Sequence, residues 1–204
     1  VFLAGFLQGA AFVLIPALGA TLRTAPYDLS NVTYGMLYFP EIFGAVLAAL
    51  VAGTVHRRVG ARGLFRVGAL TNALAMALLT TAYFVSGPIL VPVLLAETFV
   101  LGVGFGLTNA AINRSASLLF AGAAAAAVTI LNAVIGGATA VSPLLLDLGT
   151  KWLSWALWPA TLLLLWLTLL LLPLAAEVER GELGGLSAWR RSMLPFAFAV
   201  LIYA

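Results

Sequence analysis

The chain has 204 residues, 63% of them hydrophobic and 8% charged, with a formal net charge of +3 and no cysteine. A soluble domain is typically about 25% charged, so a chain this apolar needs lipid as the solvent for most of its surface. The lack of cysteine excludes disulfides and thiolate metal sites.

Val1 opens inside an apolar run with no charged lead-in, and the run from Met193 to Ala204 is too short to span a bilayer. Both ends read as cut, so the sequence is expected to be a piece of a longer protein. Six runs are long enough to span: about 1–22, 31–55, 64–86, 89–112, 117–147 and 152–176. They are continuous rather than alternating. In lipid such runs must be helices, because no water is present to satisfy their backbone groups. The expectation is an all-α membrane protein with a six-helix bundle over 1–176. A cytoplasmic linker at 177–192 and the start of a seventh helix at 193–204 follow.

In chain order, the first helix carries Gln8 as its buried-polar candidate and Pro16 near its end. The second carries Glu41 in YFPEIFGAV. Between the second and third lies GTVHRRVGARGLFRVG, Gly53 to Gly68, with Arg57, Arg58, Arg62, Arg66 and the single histidine, His56. His56 is expected to be solvated at the interface. The fourth helix, ETFVLGVGFGLTNAAINRS, holds Glu97, and at 100° per residue it aligns Gly102, Gly106, Asn109 and Asn113 on one face. Its glycines permit close packing. Asn109 and Asn113 present amides one turn apart, suited to hydroxyls or other neutral polar groups. The fifth helix adds Asn132 and Pro143. The sixth reads as lipid-facing scaffold, with Trp152, Trp155 and Trp158 expected at the outer interface. Asp147 and Lys151 flank an outer loop.

Lys and Arg set the orientation. One set of alternate loops holds only Arg23 and Lys151. The other holds Arg57, Arg58, Arg62, Arg66, Arg114, Arg180, Arg190 and Arg191. The second set is expected in the cytoplasm, together with the amino terminus, in a multi-pass protein of the cell membrane. This topological placement of charge also removes nucleic acid as a partner.

Glu41 and Glu97 are acids inside spans. An acid there is expensive, and a functional role is the default reading; both are candidates to carry a coupling proton. The alternative is a hydrogen bond to a neighbouring backbone or hydroxyl group. The bland reading of Gln8 and Asn132 is a helix–helix hydrogen bond. Enzyme chemistry is not expected: the lone histidine lies in a loop, there is no metal-ligand cluster, and the G-x-G-x-G of the fourth helix lies inside a span rather than after a strand. No cofactor and no metal are called for, and no ATP-binding motif occurs.

The segment between the second and third runs resembles the signature of the major facilitator superfamily, roughly G-x-x-x-D-R-x-G-R-R. Gly53, Arg58, Gly60 and Arg62 match in register, while Arg57 stands at the Asp position and Ala61 at an Arg position. The resemblance implies a twelve-helix secondary transporter of which this is the amino-terminal half, two inverted three-helix repeats. The segment with Gly53, Arg57, Arg58, Gly60 and Arg62 would then be a cytoplasmic gate motif, its latch altered by loss of the Asp. GLTNAAIN with TILNAVIGGATAVSP and IPALGATL looks like the fucose:proton symporter branch. That branch tends to carry a carboxylate where Asn109 stands and another in the first helix, and neither is present here. The antiporter motif G-x-x-x-G-P is also unmet, since Ala138 and Ser142 occupy its glycine positions.

The functional expectation is alternating-access transport of a small polar solute, sugar-like or another metabolite, as a symporter. Gln8, Asn109, Asn113 and Asn132 are its candidate contacts. The partners are that solute, a coupling proton, the lipid bilayer and the carboxy-terminal half. The alternatives are drug or metabolite efflux, and a non-transporting six-helix scaffold.

Overall fold

A computed structural model of the chain describes residues 1–171. The expected linker at 177–192, the start of a seventh helix, the end of the sixth and Arg180, Arg190 and Arg191 lie outside the described residues. Among the described residues the protein is helical throughout, with no strand. The helices are α1 (Phe2–Phe12), α2 (Leu14–Ala17), α3 (Gly19–Leu22), α4 (Asn31–Met36), α5 (Tyr38–Ala82), α6 (Leu90–Leu119), α7 (Ala124–Trp152) and α8 (Leu157–Leu171).

The first expected span is a bent rod. Its helix is interrupted at Val13 and Leu18, on either side of Pro16, which has no N–H to donate. Hydrogen bonds from Ala17 N to Val13 O (2.9 Å) and from Leu22 N to Leu18 O (2.9 Å) carry the helical ladder across both breaks. Ser30 caps α4 by accepting from the Thr33 amide at 3.1 Å.

The arginine segment corrects an expectation. It is helical rather than a loop, and α5 runs through it with one non-helical residue, Gly60. Gly60 has φ 74°, a left-handed conformation that glycine adopts without a Cβ penalty. The two arms on either side run in opposite directions. Along the first arm, Gly44 meets Phe99 and Val103, and Ala48 meets Gly106, so residue numbers rise together with those of α6. Along the second, Gly68 meets Thr108 and Asn72 meets Gly104, so the order reverses. α5 is therefore a hairpin closed at Gly60, with both arms laid on α6.

Three helical tracts are long and apolar enough to cross a bilayer: Asn31–Ala82, Gly87–Leu119 and Ala121–Trp152. Phe2–Phe12 and Leu157–Leu171 are apolar but shorter. The six separate runs of the sequence reading differ from this because the second and third share one hydrogen-bonded tract and the first is interrupted. The fourth also extends to Leu119, past the end of its expected span at 112. Such tracts suit a helical membrane protein, since each satisfies its own backbone.

The core is built on close helix contacts. α1 packs on α7, where a Cβ at Gly5 would lie 2.6 Å from Leu131 Cδ1 and one at Gly9 would strike Ile135 O and lie 3.1 Å from Ala138 Cβ. α6 packs on the first arm of α5, where a Cβ at Gly102 would strike Glu41 O and one at Gly106 would lie 2.7 Å from both Ala45 O and Ala48 Cβ. Without water to drive association, close approach at small residues supplies the dispersion contacts that hold membrane helices together.

At the end away from the arginines, tryptophans act as struts. Trp152 is exposed, as expected, but Trp155 is buried and donates to Tyr27 Oη at 3.1 Å. Trp158 donates to Ser142 Oγ at 2.8 Å, and Ser142 in turn donates to Ala10 O at 2.8 Å. Two of the three tryptophans thus pin helices to each other instead of facing lipid, because each indole N–H finds a protein acceptor. Burial pushes the Tyr27 hydroxyl above its ordinary value, with the Trp155 hydrogen bond opposing and Tyr83 adding to the shift. Lys151 and Asp147 form an exposed i,i+4 ion pair at 2.6 Å, a type of pair worth little in stability.

Candidate functional site

Glu97 is the most isolated polar group in the described core. Its side chain is fully buried, and neither carboxyl oxygen has a hydrogen-bond partner. Glu41 is 4% exposed, and its Oε1 also lacks a partner. The two acids belong to one helix pair: the Glu41 backbone oxygen faces Gly102, little more than a turn along α6 from Glu97, and Phe43 stacks on Phe99 at 6.4 Å beside them. The close approach at Gly102 brings the two acid-bearing stretches onto one helix contact, and neither stretch carries a basic residue.

Gln8 is buried at the contact between α1 and α6, where its Nε2 donates to Phe105 O at 2.8 Å. Its Oε1 has no partner. Phe105 precedes Asn109 by one turn. Asn109 and Asn113 are half-buried, and Asn113 Nδ2 donates to Asn109 Oδ1 at 2.8 Å and to Asn109 O at 2.9 Å. Gln8, Asn109 and Asn113 therefore line successive turns of α6. Asn132 is exposed on α7 and donates to Val128 O of its own helix at 2.9 Å, so no contact ties it to the other three amides.

Asn72, which the sequence reading passed over, is fully buried on the second arm of α5. Its Nδ2 donates to Thr108 Oγ1 at 3.0 Å, and its Oδ1 has no hydrogen-bond partner. Gly104 makes room for it, since a Cβ there would lie 2.6 Å from Asn72 Oδ1. Its signal in the sequence was present but faint: one amide in the apolar run GALTNALAMALL, with Thr71 beside it.

In the arginine hairpin, Gly53 is half-buried and Arg57, Arg58, Arg62 and Arg66 are exposed. Arg57 donates to Thr54 Oγ1 at 3.0 Å on its own helix. His56 is 7% exposed, which corrects the expectation of a solvated side chain: it lies on the face of the first arm that carries Ala48 and Ala52 inward.

A shallow open groove of about 550 Å³ is lined by Met36, Phe39, Pro40, Phe43, Leu95 and Phe99. No group of three or more His, Asp or Glu residues that would hold a metal ion occurs among the described residues. No protein-family model matches this sequence, and no curated protein and no solved structure matches it.

Proposed function

We propose that this chain is the amino-terminal, six-crossing half of a secondary transporter of the major facilitator type, moving a small polar solute by alternating access. The observation that carries the reading is a match between two helix contacts. A shift of 97 residues takes Gly5 to Gly102 and Gly9 to Gly106. A shift of 90 takes their partners Glu41, Ala45 and Ala48 to Leu131, Ile135 and Ala138. Two parallel helix pairs built on the same spacing support an internal repeat of the kind found in such transporters. Gln8 and Phe105, joined by a hydrogen bond, are themselves 97 residues apart, so that bond joins equivalent positions.

The division of labour follows from the polar groups. Asn109, Asn113 and Gln8 offer amides to a solute near the α1–α6 contact. Glu97 with Glu41 is the coupling site: an unpartnered carboxylate inside a membrane is costly, so the pair favours a bound proton, and opening to one side or the other lets the proton leave. The hairpin with Gly53, Arg57, Arg58, Gly60 and Arg62 sits on the cytoplasmic side. The open groove of apolar side chains favours a second reading, export of an apolar solute.

Uptake by proteoliposomes holding the full gene product, with and without a pH gradient, tests this against a panel of sugars, metabolites and hydrophobic dyes. Accumulation of a polar solute driven by the gradient and lost in Glu97→Gln, with solute affinity weakened in Asn109→Ala, is the expected result. Gradient-driven movement of dyes alone would select the export reading. No movement of any solute in either condition would overturn transport and leave a scaffold.

A further inference from the structure

On the first arm of α5 the exposed side chains form a continuous helical stripe: Phe43, Val46 and Leu47, Leu50 and Val51, Thr54, then Arg57 and Arg58. On the second arm they run Arg62, Arg66 and Val67, Leu70, Leu74. Each arm thus presents an uncovered, mostly apolar strip that ends in two guanidinium groups at the hairpin tip. Val59, between the two pairs, is itself 48% exposed. Among the described residues no carboxylate makes an ion pair with Arg57, Arg58, Arg62 or Arg66; the one ion pair, Lys151 with Asp147, lies at the other end of α7.

We propose that the hairpin tip is a binding surface for anionic phospholipid, with phosphate groups held by Arg57, Arg58, Arg62 and Arg66 and acyl chains lying along the two apolar stripes. The shape of the exposed surface selects this occupant. An acidic peptide satisfies the arginines but leaves the strips below them bare. A lipid carries an anionic head and an apolar tail in one molecule, in the same order as the residues on each arm. Arginine is suited to the task because its stem packs along apolar surface while its fork reaches the phosphate with two hydrogen bonds. At membrane surfaces a basic residue near anionic lipid contributes roughly a fivefold gain in binding, and salt weakens it. The proposal does not depend on transport.

The test is lipid retention by the purified full chain in neutral detergent, titrated with phosphatidylglycerol or with phosphatidylcholine and read by native mass spectrometry. The expected result is preferential retention of phosphatidylglycerol, falling with salt. It drops on the order of several hundredfold in the variant combining Arg57→Gln, Arg58→Gln, Arg62→Gln and Arg66→Gln, and stays within roughly threefold when the four are Lys. Should the combined variant fail to fold, the four single Gln variants replace it, each expected to lose about fivefold. Equal retention of the two lipids, or unchanged retention in the Gln variants, overturns the proposal. So does retention that emerges only in Glu177→Gln/Glu179→Gln/Glu182→Gln, because the arginines would then belong to the chain's own acidic segment.

Discussion

The two glycine contacts, α1 on α7 and α6 on the first arm of α5, share a spacing and differ in what they bury. Beside Gly5 stands Leu131; at the matching place beside Gly102 stands Glu41, with Glu97 little more than a turn away. One contact is apolar at that level and the other holds two carboxyls with unpartnered oxygens. The approach differs at this level as well: a Cβ at Gly5 would meet only the Leu131 and Ile135 side chains, and one at Gly102 the Glu41 backbone. A contact that needs only dispersion accepts leucine at this level. The acids raise the cost of the second contact, and that cost is what the proposed coupling role would explain.

The comparison breaks most sharply at the glycines. Gly9→Leu and Gly102→Leu are each expected to destabilise the protein by about 3 kcal/mol or more, because the added side chain meets backbone oxygen, which cannot rotate away. Thermal unfolding in detergent measures this. Equal losses at the two sites would show that both contacts carry the fold. A loss at Gly9 alone would make the α6 contact loose enough to open.

The next test exchanges the chemistry. Leu131→Glu places an acid in the apolar contact and is expected to cost roughly 2–3 kcal/mol, on the scale of an ionisable group in a membrane helix. Glu97→Leu removes one from the other contact and is expected to hold or raise stability while abolishing gradient-driven uptake. A large loss of stability in Glu97→Leu would assign Glu97 a structural hydrogen bond instead.

A smaller effect is expected at the second arm. Asn72→Leu breaks the bond to Thr108 Oγ1 and is expected to cost about 1 kcal/mol. In a double-mutant cycle with Thr108→Val the coupling is expected to be about 0.6 kcal/mol. Coupling near zero would mean that the amide is held by Gly104 and packing rather than by the hydroxyl.

Part of the candidate site was legible before the fold. Glu97 stood out because it is the one acid in ETFVLGVGFG, with Thr98 its only polar neighbour there, and Gly102 and Gly106 announced close packing through their four-residue spacing. The pairing of Glu41 with Glu97 was not legible, since it depends on which helices touch and in which direction. Asn72 was missed for the same reason: its partner Thr108 and the space at Gly104 belong to another helix. His56, Trp155 and Trp158 were misplaced because residue type predicts an average environment. The acceptors on Tyr27 and Ser142 draw two indoles inward.

By itself the sequence determined that the chain is helical and suited to lipid, because length and hydropathy of its runs are local properties that backbone hydrogen bonding turns into helix. It also determined where the positive charge concentrates. Only the tertiary structure decided that the arginine segment is a helical hairpin turning on one glycine, that α6 is gripped by both arms of α5, and that two acids far apart in sequence share one contact. Those outcomes follow from side-chain volume across helix faces and from glycine's freedom at φ 74°. They arise between segments, where no single stretch of sequence records them.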